Sequence, residues 1–314
     1  MPVFSQERAH GGRGTVRRSP RHPRFGLVLG GGGVRCLAHI GVAEVLEEAG
    51  LRPEAIATSS TGSLVGLLLA AGIPPRRIRE ALYRRDQRFA WLRPSWRAGG
   101  LFSPAALLRL MDRFSLPERL EELEIPLHVV VTDLVEGRQR VLSTGPCREA
   151  VLASAALPGI YPPVRVDGHL CGDGGVVNNV PADLCRQLVG PGGVVLTSSL
   201  EMNASMPAEL LRHVPQVVYR SIYLPLIQQR LRNQALHSDL VLQPFSDQPL
   251  CFSRWREIVR FYSIGAMADL HARGRHHMGL RLPELQALLA RADALAEEEP
   301  GAGQRLERRQ EEDL

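Results

Sequence analysis

The sequence contains no lysine, so all 38 of its basic residues are arginine. Coding bias accounts for this; the alternative is a preference for bidentate phosphate contacts, which suit the planar guanidinium. Cysteine is sparse. The five residues (Cys36, Cys147, Cys171, Cys185, Cys251) are odd in number and form no Cys-x-x-Cys pair. That argues against a disulfide framework or a zinc site and makes a reducing cytoplasm the expected compartment. No apolar run is long enough to cross a bilayer. The longest, Ser63 to Ile73, falls well short of the roughly 20 residues required. The basic N-terminus has no apolar segment behind it, so no secretory signal is expected. No cluster of His, Asp and Glu shows ligand spacing, and neither metal nor cofactor is expected.

What is present is a 314-residue chain, 44% hydrophobic and 23% charged, with a formal charge of +5. That much apolar content excludes a chain disordered throughout and suffices for a sizeable core. The charge gathers at the ends: six arginines against Glu7 in residues 1–24, and seven acids against three arginines in residues 297–314. A basic end can touch nucleic acid or anionic lipid. A solvated tail is the simpler reading, and no nucleic-acid partner is expected. The expected division is a basic disordered tail over 1–24, one domain over 25–290 and a charged tail over 291–314. The motifs of the domain fall in 25–199, with a helical remainder over 200–290.

Short apolar runs alternate with helical spacing along the body. Phe25 to Leu29, Ala55 to Thr58, Leu127 to Thr132 and Val194 to Ser199 read as buried strands, and Gln139 to Ser143 as a strand paired with the third. Cys36 to Ala49, Leu64 to Ala71, Arg76 to Arg85, Pro104 to Phe114, Glu149 to Ala156 and Pro181 to Leu188 read as helices. Uninterrupted strands separated by helices predict an α/β fold, a mostly parallel sheet covered on both faces.

Three segments carry chemistry. Gly30-Gly31-Gly32-Gly33-Val34-Arg35 joins a strand to a helix, where outward N–H groups bind a phosphate or a developing oxyanion. A dinucleotide fingerprint is excluded, because its sixth position lacks glycine and the second strand ends without an acid. Thr58-Ser59-Ser60-Thr61-Gly62 matches the last three positions of a Gly-x-Ser-x-Gly nucleophile elbow, with Thr58 where glycine opens the motif. Its structural alternative is a helix cap. Gly172-Asp173-Gly174-Gly175, followed by Asn178-Asn179-Val180-Pro181, brings an acid close to another loop or makes an ordinary turn.

Taken together, GLVLGGGGVRCLAHIGVAEVLEEAGL, AIATSSTGSLVG, VVVTDLVEGRQRVLSTG, ASAALPGIYPPV and DGGVVNNVPAD resemble, in order and spacing, the patatin-like phospholipase family, particularly its bacterial members. The resemblance runs from Phe25 to Ser199 and implies a three-layer α/β/α hydrolase with a Ser–Asp dyad. It implies Ser60 as nucleophile, Asp173 as general base, and Gly31, Gly32 and Gly33 with Arg35 as the oxyanion hole. Thr58, Gly62, Gly174 and Gly175 support the motifs. The implied activity is hydrolysis of phospholipid or lysophospholipid carboxyl esters through an acyl-serine. The implied partner is a lipid substrate met in transient contact with a membrane surface, at the inner face. The acyl slot would be lined by Leu64 to Ala71 and by the Pro158 to Pro163 loop. Two residues depart from the family pattern: Cys36 follows the arginine where glycine is usual, and Thr58 opens the elbow. Each adds bulk beside the site.

Two other readings stand beside this one. One is a Ser–Asp–His triad, for which His237, His271, His276 and His277 lie in the right chain order. The other is a catalytically silent member of the fold that binds lipid or a protein. His39 reads as a packed or capping residue rather than a base, and Cys36 as a small buried residue rather than a reactive thiol. Arg35 reads equally as a phosphate contact or as part of a structural salt bridge. The Trp91 to Trp96 loop is left open between membrane contact and packing, and Tyr219 to Ile227 is assigned to the core.

Overall fold

The computed structural model describes residues 25–83, 95, 100–201, 205, 208–247 and 264–298. The basic tail, the Trp91 to Trp96 loop apart from Ser95, and most of the acidic C-terminal segment lie outside the described residues. Eight strands form one sheet. They are β1 (Phe25–Leu29), β2 (Ala55–Ser59), β3 (Leu127–Asp133), β4 (Arg138–Leu142), β5 (Val164–Val166), β6 (His169–Asp173), β7 (Val194–Ser198) and β8 (Leu240–Leu242). Helices α1 (Leu37–Glu48), α2 (Gly62–Ala70), α3 (Pro75–Leu82), α4 (Ala105–Met111), α5 (Cys147–Ser154), α6 (Ala182–Val189), α7 (Val214–His237) and α8 (Ile264–Glu298) flank it. The last helix runs past residue 290, where the sequence reading begins the tail.

Strand periodicity builds the layers. Successive strand residues face opposite sides. Phe25, Leu27 and Leu29, Ile56, and Val194 and Leu196 therefore enter the core shared with α1, α2 and α8. The intervening Val28, Ala57 and Val195 join Ala182, Cys185 and Val189 of α6 on the other face. This is the expected three-layer α/β/α arrangement with a mostly parallel sheet. The β1–β2, β1–β7, β2–β3 and β7–β8 pairs are parallel.

The antiparallel exceptions place the site. A strand has two edges, and β4 occupies one edge of β3 over Val129–Asp133, leaving β2 and β6 to share the other. Strand β2 runs parallel to β3 and ends with Ser59 opposite Val130. Strand β6 arrives antiparallel and ends with Asp173 opposite Val131. The C-terminal ends of the two strands therefore meet head to head at consecutive residues of β3. Side chains fasten the seam: Ser154 Oγ donates to the Val130 carbonyl and Thr132 Oγ1 to the Asp173 carbonyl, each at 2.7 Å.

Candidate active site

Just past Ser59 the chain turns sharply into α2, and Ser60 takes a left-handed φ of 51°. Such a conformation is costly for a residue with a side chain and holds only where its surroundings fix it. Here the Ser60 carbonyl accepts from Ser63 N–H at 3.0 Å and from Ser63 Oγ at 2.5 Å. Ser60 Oγ donates to Asp173 Oδ2 at 2.7 Å. The second carboxylate oxygen, Oδ1, accepts from Gly175 N–H at 2.7 Å. Serine and acid thus bond directly across 113 residues of sequence. Burial pushes the Asp173 carboxyl up to about 6, against the Ser60 and Gly175 hydrogen bonds that pull it down.

Both carboxylate oxygens have partners without a histidine. Of the histidines that a triad would call on, His271 Nε2 contacts Glu44 Oε2 at 2.9 Å, and His276 stacks edge-on against His277.

The glycine loop is held peptide by peptide. His39 is wholly buried, and its Nε2 lies 2.8 Å from the Gly30 carbonyl while Nδ1 lies 2.8 Å from Ser198 Oγ. A carbonyl only accepts, so Nε2 carries the proton and Ser198 donates to Nδ1. Burial pulls the imidazole down to about 4, which keeps it neutral and suits the packed role expected for it. Gly31 donates its N–H to the Asn179 carbonyl at 3.0 Å, and Asn179 Nδ2 donates back to the Gly31 carbonyl at 3.3 Å. The Gly32 carbonyl accepts from Arg35 Nε at 3.1 Å and Arg35 N–H at 3.3 Å. Thr61 Oγ1 donates to the Gly33 carbonyl at 3.0 Å.

This corrects one expectation. The resemblance implies Gly31 as an oxyanion donor, yet its N–H is committed to the Asn179 carbonyl. What the site needs from it is a missing side chain: a Cβ there would sit 2.6 Å from Ser60 Cβ and 2.2 Å from Asn179 Oδ1. The N–H groups of Gly32 and Gly33 meet no acceptor among the described residues.

The two departures are absorbed by packing. Thr58 is buried, with Oγ1 3.3 Å from the His128 carbonyl, and its methyl lies where only Gly66 of α2 leaves room. A Cβ on Gly66 would come within 2.5 Å of Thr58 Cγ2. Cys36 is buried, and burial pushes its thiol up to about 12. It is the small buried residue expected. Of the two segments expected to line an acyl slot, Leu64, Val65, Leu67 and Leu68 are wholly buried in the core, whereas the chain after Ala156, whose carbonyl accepts the Asp173 N–H at 3.1 Å, reaches the surface at Leu157. Within Tyr219 to Ile227, Ile227 is buried but Leu224 is exposed, sharing one helical face with exposed Val214, Val217 and Val218. An open groove of about 600 Å³ between α7 and the loop after Asp173, lined by Gln139, Asn178, Asp183, Gln229 and Asn233, includes neither Ser60 nor Asp173.

Sequence reasoning missed Asn179 as a contact of the glycine loop, along with Glu201 and Arg230 behind it. The Asn-Asn pair was visible, but nothing in it says which asparagine faces the site. Asn178 turns away, bonding Asp183 and Asn233 at 3.0 Å each.

Comparison with known proteins places residues 27–186 in a match to the family described as Patatin-like phospholipase. An uncharacterized NTE family protein of Mycobacterium tuberculosis is 36% identical over 176 residues, covering 52% of this chain and 46% of that protein. Human patatin-like phospholipase domain-containing protein 6 is 34% identical over 191 residues, covering 55% of this chain and 14% of that protein. The chain thus spans less than half the length of these relatives. Among solved structures, VipD from Legionella pneumophila aligns with 82% of this chain and 68% of its own at 14% identity, with a TM-score of 0.41.

Proposed function

Since this chain belongs to the patatin-like phospholipase family, we propose that it is a serine lipid acyl hydrolase that cleaves carboxyl esters of phospholipids or lysophospholipids with Ser60 and Asp173. The observation that carries the reading is the direct Ser60 Oγ–Asp173 Oδ2 hydrogen bond of 2.7 Å. A serine hydroxyl becomes a nucleophile when a base stands within hydrogen-bond reach. A carboxyl near 6 is largely ionised at neutral pH and still basic enough to take a proton.

In the proposed sequence Ser60 Oγ attacks the ester carbonyl carbon while its proton passes to Asp173 Oδ2. The resulting oxyanion is received by the Gly32 and Gly33 N–H groups, with Arg35 fixing the peptide between them. The tetrahedral species collapses, the C–O bond to the leaving alcohol breaks, and Asp173 returns the proton to that alcohol. Water then attacks the acyl-serine, giving its proton to Asp173, and the fatty acid departs as Ser60 recovers its hydrogen. Each aimed donor is worth about 2.7–4 kcal/mol in the transition state.

A lipid substrate implies transient contact with a membrane surface. The exposed Val214, Val217, Val218 and Leu224 side chains on α7 supply an apolar face for it. No helix among the described residues is long and apolar enough to cross a membrane. The silent-member reading rests on Cys36 and Thr58, and the packing that accommodates both side chains supports the hydrolase reading over it. Substitution Ser60→Ala should abolish turnover of a nitrophenyl ester and leave the far-UV circular dichroism unchanged. Turnover retained in that variant would end the proposal.

A further inference from the structure

Building on the hydrolase reading above, we infer that Asn179 is a positioning residue for the oxyanion loop, backed by Glu201 and by Arg230 of α7. Planarity of the peptide bond carries the argument. In a trans peptide the carbonyl of one residue and the N–H of the next point in opposite directions within one rigid plane. Holding the Gly31 carbonyl therefore aims the Gly32 N–H, and holding the Gly32 carbonyl aims the Gly33 N–H. Arg35 does the second. Asn179 Nδ2 does the first, at 3.3 Å, while the Asn179 backbone carbonyl holds the Gly31 N–H. One residue thus grips both peptides that flank Gly31.

Its own amide is held in turn. Asn179 Nδ2 also donates to Glu201 Oε1 at 2.7 Å, and Glu201 Oε2 pairs with Arg230 Nη2. The Glu201 and Arg230 side chains are only 15% and 7% exposed, so this is a largely dry ion pair and not a solvated one. The amide also stands at the junction of the two catalytic loops. A Cβ on Gly31 would meet Asn179 Oδ1 at 2.2 Å, and one on Gly175, whose N–H orients Asp173, would meet it at 2.6 Å. Neighbouring residues of α7 secure the same loop: Gln229 donates to the Val177 carbonyl at 2.8 Å and Asn233 to the Val180 carbonyl at 3.1 Å. Glu201 and Arg230 both lie beyond residues 27–186, where the family match ends. The support for the oxyanion loop therefore comes partly from outside the segment that defines the family.

The test compares the full-length wild type with Asn179→Asp and with the double variant Asn179→Asp, Glu201→Gln. The single substitution keeps shape and backbone carbonyl but turns the donor into a carboxylate facing Glu201 and the Gly31 carbonyl. In the double variant the new glutamine amide can donate to that carboxylate, so the tie to α7 is restored while the Gly31 carbonyl stays unheld. With p-nitrophenyl butyrate at pH 8, kcat should fall about 10- to 100-fold in Asn179→Asp, the scale of a misplaced catalytic group, with KM within about 2-fold. The double variant should regain thermal stability without regaining kcat. Recovery of kcat together with stability would show a merely structural tie and overturn the inference. Hydrogen exchange of the peptide covering Gly30 to Gly33 is read in the same proteins and should be faster in both variants. If the wild type neither turns over ester nor labels at Ser60, the hydrolase reading fails by itself. The exchange result then decides the clamp, and unchanged exchange in Asn179→Asp overturns it.

Discussion

As the proposed base, Asp173 is asked to be both buried and charged, and the two demands oppose each other. Its ordinary value is 3.8, and burial raises it to about 6 in the folded chain. A raised carboxyl means that folding favours the protonated form. The stability this group contributes is whole below 3.8 and is lost as pH rises through 6. Asp173→Asn should therefore stabilise the protein at pH 8, by at most about 3 kcal/mol, and change little at pH 4, while ester hydrolysis disappears. Urea denaturation at both pH values checks this; an equal shift at both would contradict it. For the wild type, kcat/KM should fall as a single ionisation below about pH 6, because only the carboxylate can accept the Ser60 proton. At this scale Ser60 and Asp173 were legible in sequence, because their motifs carry a family resemblance. Asn179 was not, because an asparagine's role depends on which groups surround its amide, and Glu201 and Arg230 reach it only through the fold.

Between elements, the fit of β2 against α2 turns on a methyl. Alanine normally stabilises a helix interior relative to glycine by about 1 kcal/mol. Gly66→Ala should do the opposite, costing about 1–3 kcal/mol, because its Cβ would approach Thr58 Cγ2 to 2.5 Å. Thr58→Ser removes that methyl and should relieve the clash, so the double variant should lose less than the two single losses together. Simple additivity in chemical denaturation would contradict this packing account. The same pair explains how an elbow without its opening glycine keeps its geometry: the space given up at residue 58 is returned at residue 66. Strands β1, β2, β3 and β7 were legible as short apolar runs. The hairpin of β5 and β6 was not, since three residues of Val-Arg-Val show no period and the sequence does not say on which edge of β3 they pair. That edge decides where Asp173 arrives.

Across the molecule, the recognisable motifs end before the last two long helices, yet both helices are built into the fold. Helix α8 lies along α1 around a buried acid. Glu44 is contacted by Arg79 of α3 and by His271 and Arg275 of α8, each at 2.9 Å. Removing one member of a buried ionic group strands the others. Glu44→Ala should lower stability toward the lower end of about 3–5 kcal/mol, since Arg79 and Arg275 keep part of their side chains in water. The pH dependence of kcat/KM should stay where Asp173 sets it; a displaced profile would mean that this network reaches the site. The three-layer class followed from the alternation of strands and helices. The docking of α8 did not, because helical periodicity marks an apolar face without naming the helix it meets.

The direct pairing of one serine with one carboxylate is tested most plainly by a fluorophosphonate probe on the folded, full-length protein, with the adduct located by mass spectrometry. The geometry predicts a single adduct on Ser60 in the wild type and almost none in Asp173→Asn at the same probe concentration. An adduct on another residue, or equal labelling of Ser60 in both proteins, would contradict the assignment of Asp173 as the base.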